Sequence, residues 1–213
     1  MKVEFGSTEV GRIIFPFSHP PSDDGNAFFE TPRISQHVTS PMVFSGIFSA
    51  AECDNIIKFG ESLPLRTGQM MDARPNCRRS RISWLMPAEA TSWLYEKIAG
   101  IFRSVNRWYG FELVGFIDAI QYTAYDGGDG FGWHLDTGPG QTSTRKLSMS
   151  LQLTAGDAYE GGDLEFCASD SLYDARRRGT VIVFPSFLAH RVSPLLRGQR
   201  RALVAWAHGP AFR

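Results

Sequence analysis

Two histidines, one aspartate and one arginine in the second half of the chain are the residues best able to do chemistry together. His134 and Asp136 stand two apart, just after the glycine-rich run Asp126-Gly127-Gly128-Asp129-Gly130. On a strand, residues i and i+2 project to the same face, so an imidazole and a carboxylate converge there. The pair alone is a weak signal, because a strand-end histidine bonded to a nearby carboxylate is spelled the same way. The segment from Gly179 to Arg200 strengthens it: an apolar strand, a turn at Pro185-Ser186, then His190, then Arg200 ten residues on. A second histidine on a neighbouring strand would complete two imidazoles and one carboxylate on one face of a metal, with the opposite positions open. That donor set suits non-haem Fe(II) and oxygen. Arg200 opens the apolar run Ala202-Leu203-Val204-Ala205-Trp206, and a guanidinium aimed into an apolar wall requires an anion. A dicarboxylate supplies one through a bidentate pair. Arg201, its neighbour, points to the other face of the strand.

The elements that must position these groups are legible from periodicity and punctuation. Ser49-Ala50-Ala51-Glu52 has the capping-box spacing ahead of Cys53, Ile56, Ile57 and Phe59, which predicts a helix over about 50–62, closed by Pro64. Leu94, Ile98, Ile101, Phe102, Val105 and Trp108 recur at helical spacing and predict a second helix over about 88–109, ended by Gly110. From residue 112 the period becomes two. Strands are expected at Leu113–Tyr125, Gly132–Asp136, Lys146–Thr154, Asp163–Cys167, Thr180–Phe184 and Arg200–Ala207, with turn clusters between them. Two helices followed by about eight short strands predict an α+β, mainly β domain over 41–213, its helices buttressing a sandwich or jelly roll. Residues 1–40, rich in proline and carrying Phe15, Phe17, Phe28 and Phe29, read as an N-terminal arm packed on that domain.

Composition narrows the partners. Lys plus Arg number 22 and Asp plus Glu 22, so the formal charge is zero and the usual electrostatic basis for holding nucleic acid or an anionic membrane is missing. The 21 glycines and 12 prolines match a turn-rich β fold. Cys53, Cys77 and Cys167 are odd in number and lack a C-x-x-C pair, which argues against a disulfide framework and for a reducing, cytoplasmic setting. No apolar run approaches the length of a membrane span or a leader's apolar core.

Several ordered motifs resemble one family. Phe48-Ser49-Ala50-Ala51-Glu52-Cys53-Asp54, Arg79-Ser80-Arg81-Ile82-Ser83-Trp84-Leu85, Gln121-Tyr122-Thr123-Ala124-Tyr125 and Trp133-His134-Leu135-Asp136 come first. Arg145 to Leu153, Tyr159 to Leu164 and Gly179 to Trp206 follow in the same order. Over about residues 43–210 the chain resembles the Fe(II)/2-oxoglutarate-dependent oxygenases, in their prolyl-4-hydroxylase-like group with its small bacterial hydroxylases. That resemblance implies a double-stranded β-helix and a dioxygenase that hydroxylates an unactivated C–H bond. Fe(II), 2-oxoglutarate and O2 would take part, with ascorbate as an accessory reductant. It implies His134, Asp136 and His190 as iron ligands and Arg200 as partner of the cosubstrate's C5 carboxylate, with Tyr125 reaching the same group. Gln152 stands where many prolyl hydroxylases have another cosubstrate-contacting tyrosine. An aspartate at 136, where a halogenase needs a vacancy for halide, argues against that chemistry.

Other residues are weaker candidates. Arg79 and Arg81, with Arg74 and Arg78 near them, could meet a substrate carboxylate, and Trp133 and Phe131 could wall the pocket. Arg176-Arg177-Arg178 reads as a charged turn, and His19, His37 and His208 as structural or exposed. Loops at 66–78, 126–130 and 138–144 are expected to select the substrate. That substrate is a prolyl or other peptidyl residue, a free amino acid or another small metabolite; a nucleic acid fits poorly without a basic and aromatic stripe. The rival reading is a cupin-like metal-binding isomerase or a non-catalytic jelly-roll binding module, neither of which needs a buried arginine after the last histidine.

Overall fold

The structure, a computed structural model, describes residues 15–16, 38–68, 77–167, 172 and 175–212. Most of the expected arm over 1–40 lies outside the described residues, as do Met70, Met71, Arg74, His19 and His37.

Both helices form where periodicity and caps require them. Helix α1 runs Ala50–Ser62. At its start the Ser49 amide donates to Glu52 Oε2 at 2.7 Å and the Glu52 amide to Ser49 Oγ at 3.2 Å, a reciprocal box that satisfies two orphan donors. Helix α2 runs Glu89–Tyr109 and stops at Gly110, whose φ of 74° is the left-handed cap that glycine adopts without a Cβ clash. Leu94, Tyr95, Ile98, Ala99, Phe102, Val105 and Tyr109 are its buried apolar stripe.

The strands are β1 Phe15–Pro16, β2 Met42–Phe44, β3 Arg66–Thr67, β4 Arg78–Arg79, β5 Arg81–Leu85, β6 Gly115–Phe116, β7 Ile120–Tyr125 and β8 Gly130–His134. They continue with β9 Arg145–Gln152, β10 Tyr159–Gly161, β11 Leu164–Phe166, β12 Val181–Pro185, β13 His190–Val192, β14 Leu195–Gly198 and β15 Arg200–His208. A major sheet runs β2-β12-β9-β15-β7-β5-β3, with β6 joined to β15 and β1 to β6; a minor sheet runs β11-β13-β8-β4, and β10 pairs with β14. Every pairing is antiparallel. This is the expected mainly β, α+β jelly roll with two buttressing helices.

Most strand ends shift by one or two residues, and two of the expected strands show why. The strand expected over Leu113–Tyr125 is split into β6 and β7, because Asp118 leaves the ladder and accepts from Arg145 Nε at 2.8 Å and from His208 Nε2 at 3.1 Å. The strand expected to reach Asp136 ends at His134.

The major sheet separates two environments by alternation. On β9, Leu147, Met149 and Leu151 join the helix-side core, as do Leu203, Ala205 and Ala207 of β15 and Ile120, Tyr122 and Ala124 of β7. The intervening residues Ser150, Arg200, Ala202, Val204, Trp206, Gln121 and Tyr125 line a cleft between the two sheets.

Candidate active site

The register of the minor sheet pairs His134 directly with His190 across β8 and β13, so the two imidazoles share one face. Their ring centroids are 4.2 Å apart. Asp136, two residues past β8, turns its carboxylate between them: Oδ1 lies 3.7 Å from His134 Nε2 and Oδ2 3.6 Å from His190 Nε2. One donor atom from each of the three residues falls within 4.8 Å of the others.

Surrounding hydrogen bonds orient each donor. His134 Nδ1 is 2.8 Å from the Gly132 carbonyl and His190 Nδ1 is 2.8 Å from the Leu188 carbonyl. A carbonyl oxygen only accepts, so each Nδ1 carries the proton and each Nε2 turns a bare lone pair to the shared point. Ser148 Oγ donates to Asp136 Oδ2 at 2.6 Å, and the Asp136 amide donates to the Ser186 carbonyl at 2.9 Å. Burial, with the neighbouring His190, pushes the His134 imidazole down to about 4. Burial would raise Asp136, but the two histidines, Arg145 and the Ser148 hydroxyl outweigh it and bring the carboxyl to about 2. At neutral pH the set therefore combines a neutral imidazole at His134 with an ionised carboxylate. Phe131 stacks on His134 at 3.5 Å and Phe184 meets His190 edge-on at 4.7 Å, which dries the walls. Two imidazole nitrogens and a carboxylate on one side of an open cleft are a donor set for Fe(II).

The cleft, about 730 Å³, also holds Arg200 and Tyr125. These two are cross-strand partners, and the Arg200 guanidinium lies 5.4 Å from the Tyr125 ring centre. Arg200 is 3% exposed, and its Nε is buried without a hydrogen-bond partner among the described residues. A buried, unsatisfied guanidinium donor calls for an acceptor that enters the cleft. Arg201 faces the helices instead, where its Nε donates to Glu61 Oε1 at 3.0 Å and its Nη1 to the Tyr125 carbonyl at 3.1 Å. Gln152 is buried and lines a neighbouring pocket together with Arg200, and its amide is already engaged: Nε2 donates to the Thr154 carbonyl at 2.9 Å and to the Tyr159 hydroxyl at 3.0 Å.

The weaker candidates are redistributed. Arg81 is exposed and ion-paired with Asp126, and Arg79 is exposed; neither lines the cleft. Alternation explains Trp133: its neighbour His134 points inward, so Trp133 points outward, is 41% exposed and stacks under Arg191. Arg78 enters the cleft in their place, with Trp84, Trp206 and Arg145, whose guanidinium sits 3.9 Å from the Trp206 ring centre. The charged turn at 176–178 is partly internal, since Arg176 bonds the carbonyls of Gly156, Tyr159 and Gly161, and Arg178 bonds that of Leu153. His208 is fully buried between Asp118 and Thr144. Sequence reasoning missed Trp84, Arg145 and Trp206 as cleft residues. The period-two face shared with Arg200 signals Trp206, but the partner strands of Trp84 and Arg145 are set only by the sheet order.

Residues 120–208 match the model of the 2OG-Fe(II) oxygenase superfamily. A PKHD-type hydroxylase of Synechococcus sp. (strain CC9902) is 34% identical over 97 residues, 45% of this chain and 44% of that protein. One from Paraburkholderia xenovorans is 38% identical over 94 residues, 40% of each. The chain thus spans less than half the length of the curated relatives it matches. Among solved structures, a Pseudomonas putida prolyl-4-hydroxylase superposes with a TM-score of 0.64 at 21% identity, covering 80% of this chain and 93% of that one. A Trichoplax adhaerens prolyl hydroxylase in complex with a hypoxia inducible factor peptide gives 0.66 at 16%, covering 81% and 84%. At those identities the structures speak for the fold alone, while the segment over 120–208 that is similar to the 2OG-Fe(II) oxygenase superfamily contains the whole His134, Asp136, His190 and Arg200 constellation.

Proposed function

We propose that the protein is an Fe(II)- and 2-oxoglutarate-dependent dioxygenase that hydroxylates an unactivated C–H bond of a prolyl or other peptidyl residue, a free amino acid or another small metabolite. The observation that carries this reading is the buried Arg200 Nε, without a partner among the described residues, in the same cleft as the His134, Asp136 and His190 donors. A cupin-like isomerase or a binding jelly roll uses a similar donor set but has no need of a buried cation ten residues beyond the last histidine. A 2-oxo dicarboxylate needs both, because one end chelates a metal and the other requires a charge-assisted pair.

The chain's own residues orient and exclude. His134 and His190 would hold a metal through Nε2 and Asp136 through its carboxylate, each fixed from behind by a carbonyl or a serine hydroxyl. Arg200 receives the far carboxylate, with the Tyr125 ring beside it. Phe131 and Phe184 keep water from the donors, and Trp84, Trp206 and Arg145 shape the part of the cleft left for substrate. Bound Fe(II) with 2-oxoglutarate and O2 would supply the oxidising power for hydroxylating the C–H bond. Among the described residues no helix is long and apolar enough to cross a membrane, and the three cysteines are unpaired. The unpaired cysteines support our assignment to a reducing, cytoplasmic setting.

The direct test is 2-oxoglutarate binding to the iron-loaded protein without oxygen, followed by succinate release when air is admitted. Saturable binding that requires both metal and Arg200 is the expected result. Metal binding without 2-oxoglutarate binding would return the cupin reading.

A further inference from the structure

Arg78 is the cleft cation that the proposed chemistry leaves without a counter-ion. It opens β4 and is the register partner of Phe131 on β8, so both side chains lie on one face of the minor sheet. Its guanidinium carbon lies 4.8 Å from the Phe131 ring centre. His134 covers one face of that ring at 3.5 Å, which leaves the other to the guanidinium. One aromatic ring therefore separates Arg78 from a metal donor. Its Nε donates to Ser80 Oγ at 2.8 Å, a neutral partner, and among the described residues no carboxylate comes within ion-pair distance.

The other arginines give the contrast. Arg145, in the same cleft, is bound to Asp118; Arg201 is bound to Glu61 and Asp126. Carboxylate partners raise Arg201 above its ordinary value despite burial, whereas burial lowers Arg78, with Tyr125 and Asp136 offsetting it only in part and nearby Arg145 repelling it. Arg200 is claimed by the far end of the cosubstrate in the reading above. Cation–π contact with Phe131 compensates only part of the lost hydration.

We propose that Arg78 receives a carboxylate of the substrate and so selects substrates that carry one near the carbon to be hydroxylated. This rests on the dioxygenase reading. An internal peptidyl residue flanked by neutral amides leaves the guanidinium unpaired. A free amino acid, or a peptide whose C-terminus or acidic side chain lies next to the target residue, pairs with it. Phe131 fixes the distance, because it holds the guanidinium one ring away from His134.

The test uses the protein loaded with Zn(II) and 2-oxoglutarate, a redox-silent state, with calorimetry as readout. The probes are the free amino acids, each beside its C-terminal amide, and short peptides with a free or amidated C-terminus and with or without an acidic residue. Binding of 2-oxoglutarate is measured first; if it fails, the dioxygenase reading falls and not this one. With it in place, at least one carboxylate probe binds about tenfold or more tightly than its amide, as expected of a charge-assisted pair. That preference collapses in Arg78→Gln, returns in part in Arg78→Lys and is unchanged in Arg79→Ala on the exposed side. The two peptide series tell a free amino acid from a peptidyl carboxylate. A panel with no carboxylate preference, or one whose preference survives in Arg78→Gln, overturns the proposal.

Discussion

Arg200 and Arg201 are consecutive residues on one strand, equally charged and both buried, yet they belong to different parts of the molecule. Arg201 faces the helices and is paired within the chain, to Glu61, Asp126 and the Tyr125 carbonyl. Arg200 faces the cleft, and its Nε has no partner among the described residues. The same contrast runs along the whole major sheet. The helix side is apolar and filled, with Tyr95, Phe102, Phe116 and Tyr122 among its fully buried side chains. The cleft side keeps serines, a glutamine, arginines and open volume. One face completes its own interactions and makes the fold; the other leaves interactions for ligands to complete.

Four experiments break or sharpen this comparison. The largest effect is on the donor set: His134→Ala or His190→Ala should take turnover below detection while circular dichroism and the unfolding midpoint stay near the parent's. Full activity in either variant would remove that residue from the metal site. Next come the two arginines. On the proposed dioxygenase reading, Arg200→Ala would break a buried pair with 2-oxoglutarate, a loss of roughly 3–5 kcal/mol that raises its KM on the order of a hundredfold or more. Arg200→Lys keeps the charge, loses the fork and falls between. Arg201→Ala should instead lower stability by about 1–3 kcal/mol and shift KM little. Succinate release and urea midpoints for the three variants decide it, and a larger KM defect in Arg201→Ala would reverse the assignment of the faces.

The third experiment uses pH on the metal-free protein. His134 titrates at about 4 in the fold against an ordinary 6.5. The unfolded chain therefore takes up this proton first, so the group's stabilisation is complete above pH 6.5 and is lost as pH falls toward 4. The slope is at most about 1.4 kcal/mol per pH unit. On the helix side, burial pushes the Tyr95 hydroxyl up to about 12, so it is silent in that window. Urea midpoints between pH 4 and 7 should fall less steeply for His134→Asn than for the parent; equal slopes would assign the acid sensitivity elsewhere. The smallest effect is expected at Gly60 in α1, where an added Cβ would come 2.4 Å from the Tyr122 ring. Gly60→Ala should lower stability by about 1–3 kcal/mol without altering the 2-oxoglutarate KM. A KM change there would mean that the two faces are not separate.

The sequence by itself determined the local elements and the core chemistry. Ser49 and Glu52 started α1, Gly110 stopped α2, and the period of two after residue 112 marked a β domain, because caps, turns and alternation act over a few residues. It also singled out His134, Asp136, His190 and Arg200 and separated Arg200 from Arg201, since neighbours on a strand must face opposite ways. Only the tertiary structure decided which other side chains share the cleft. Placing Arg78 rather than Arg79 and Arg81 in the cleft depended on the pairing of β4 with β8, and turning Trp133 outward onto Arg191 depended on which face of β8 looks inward. Bringing Trp84 beside Trp206, 6.3 Å apart, required β5 to lie next to β7 and β7 next to β15. Those neighbours are far apart along the chain, and strand order is set by burying both sheet faces together, an energy that no local window contains.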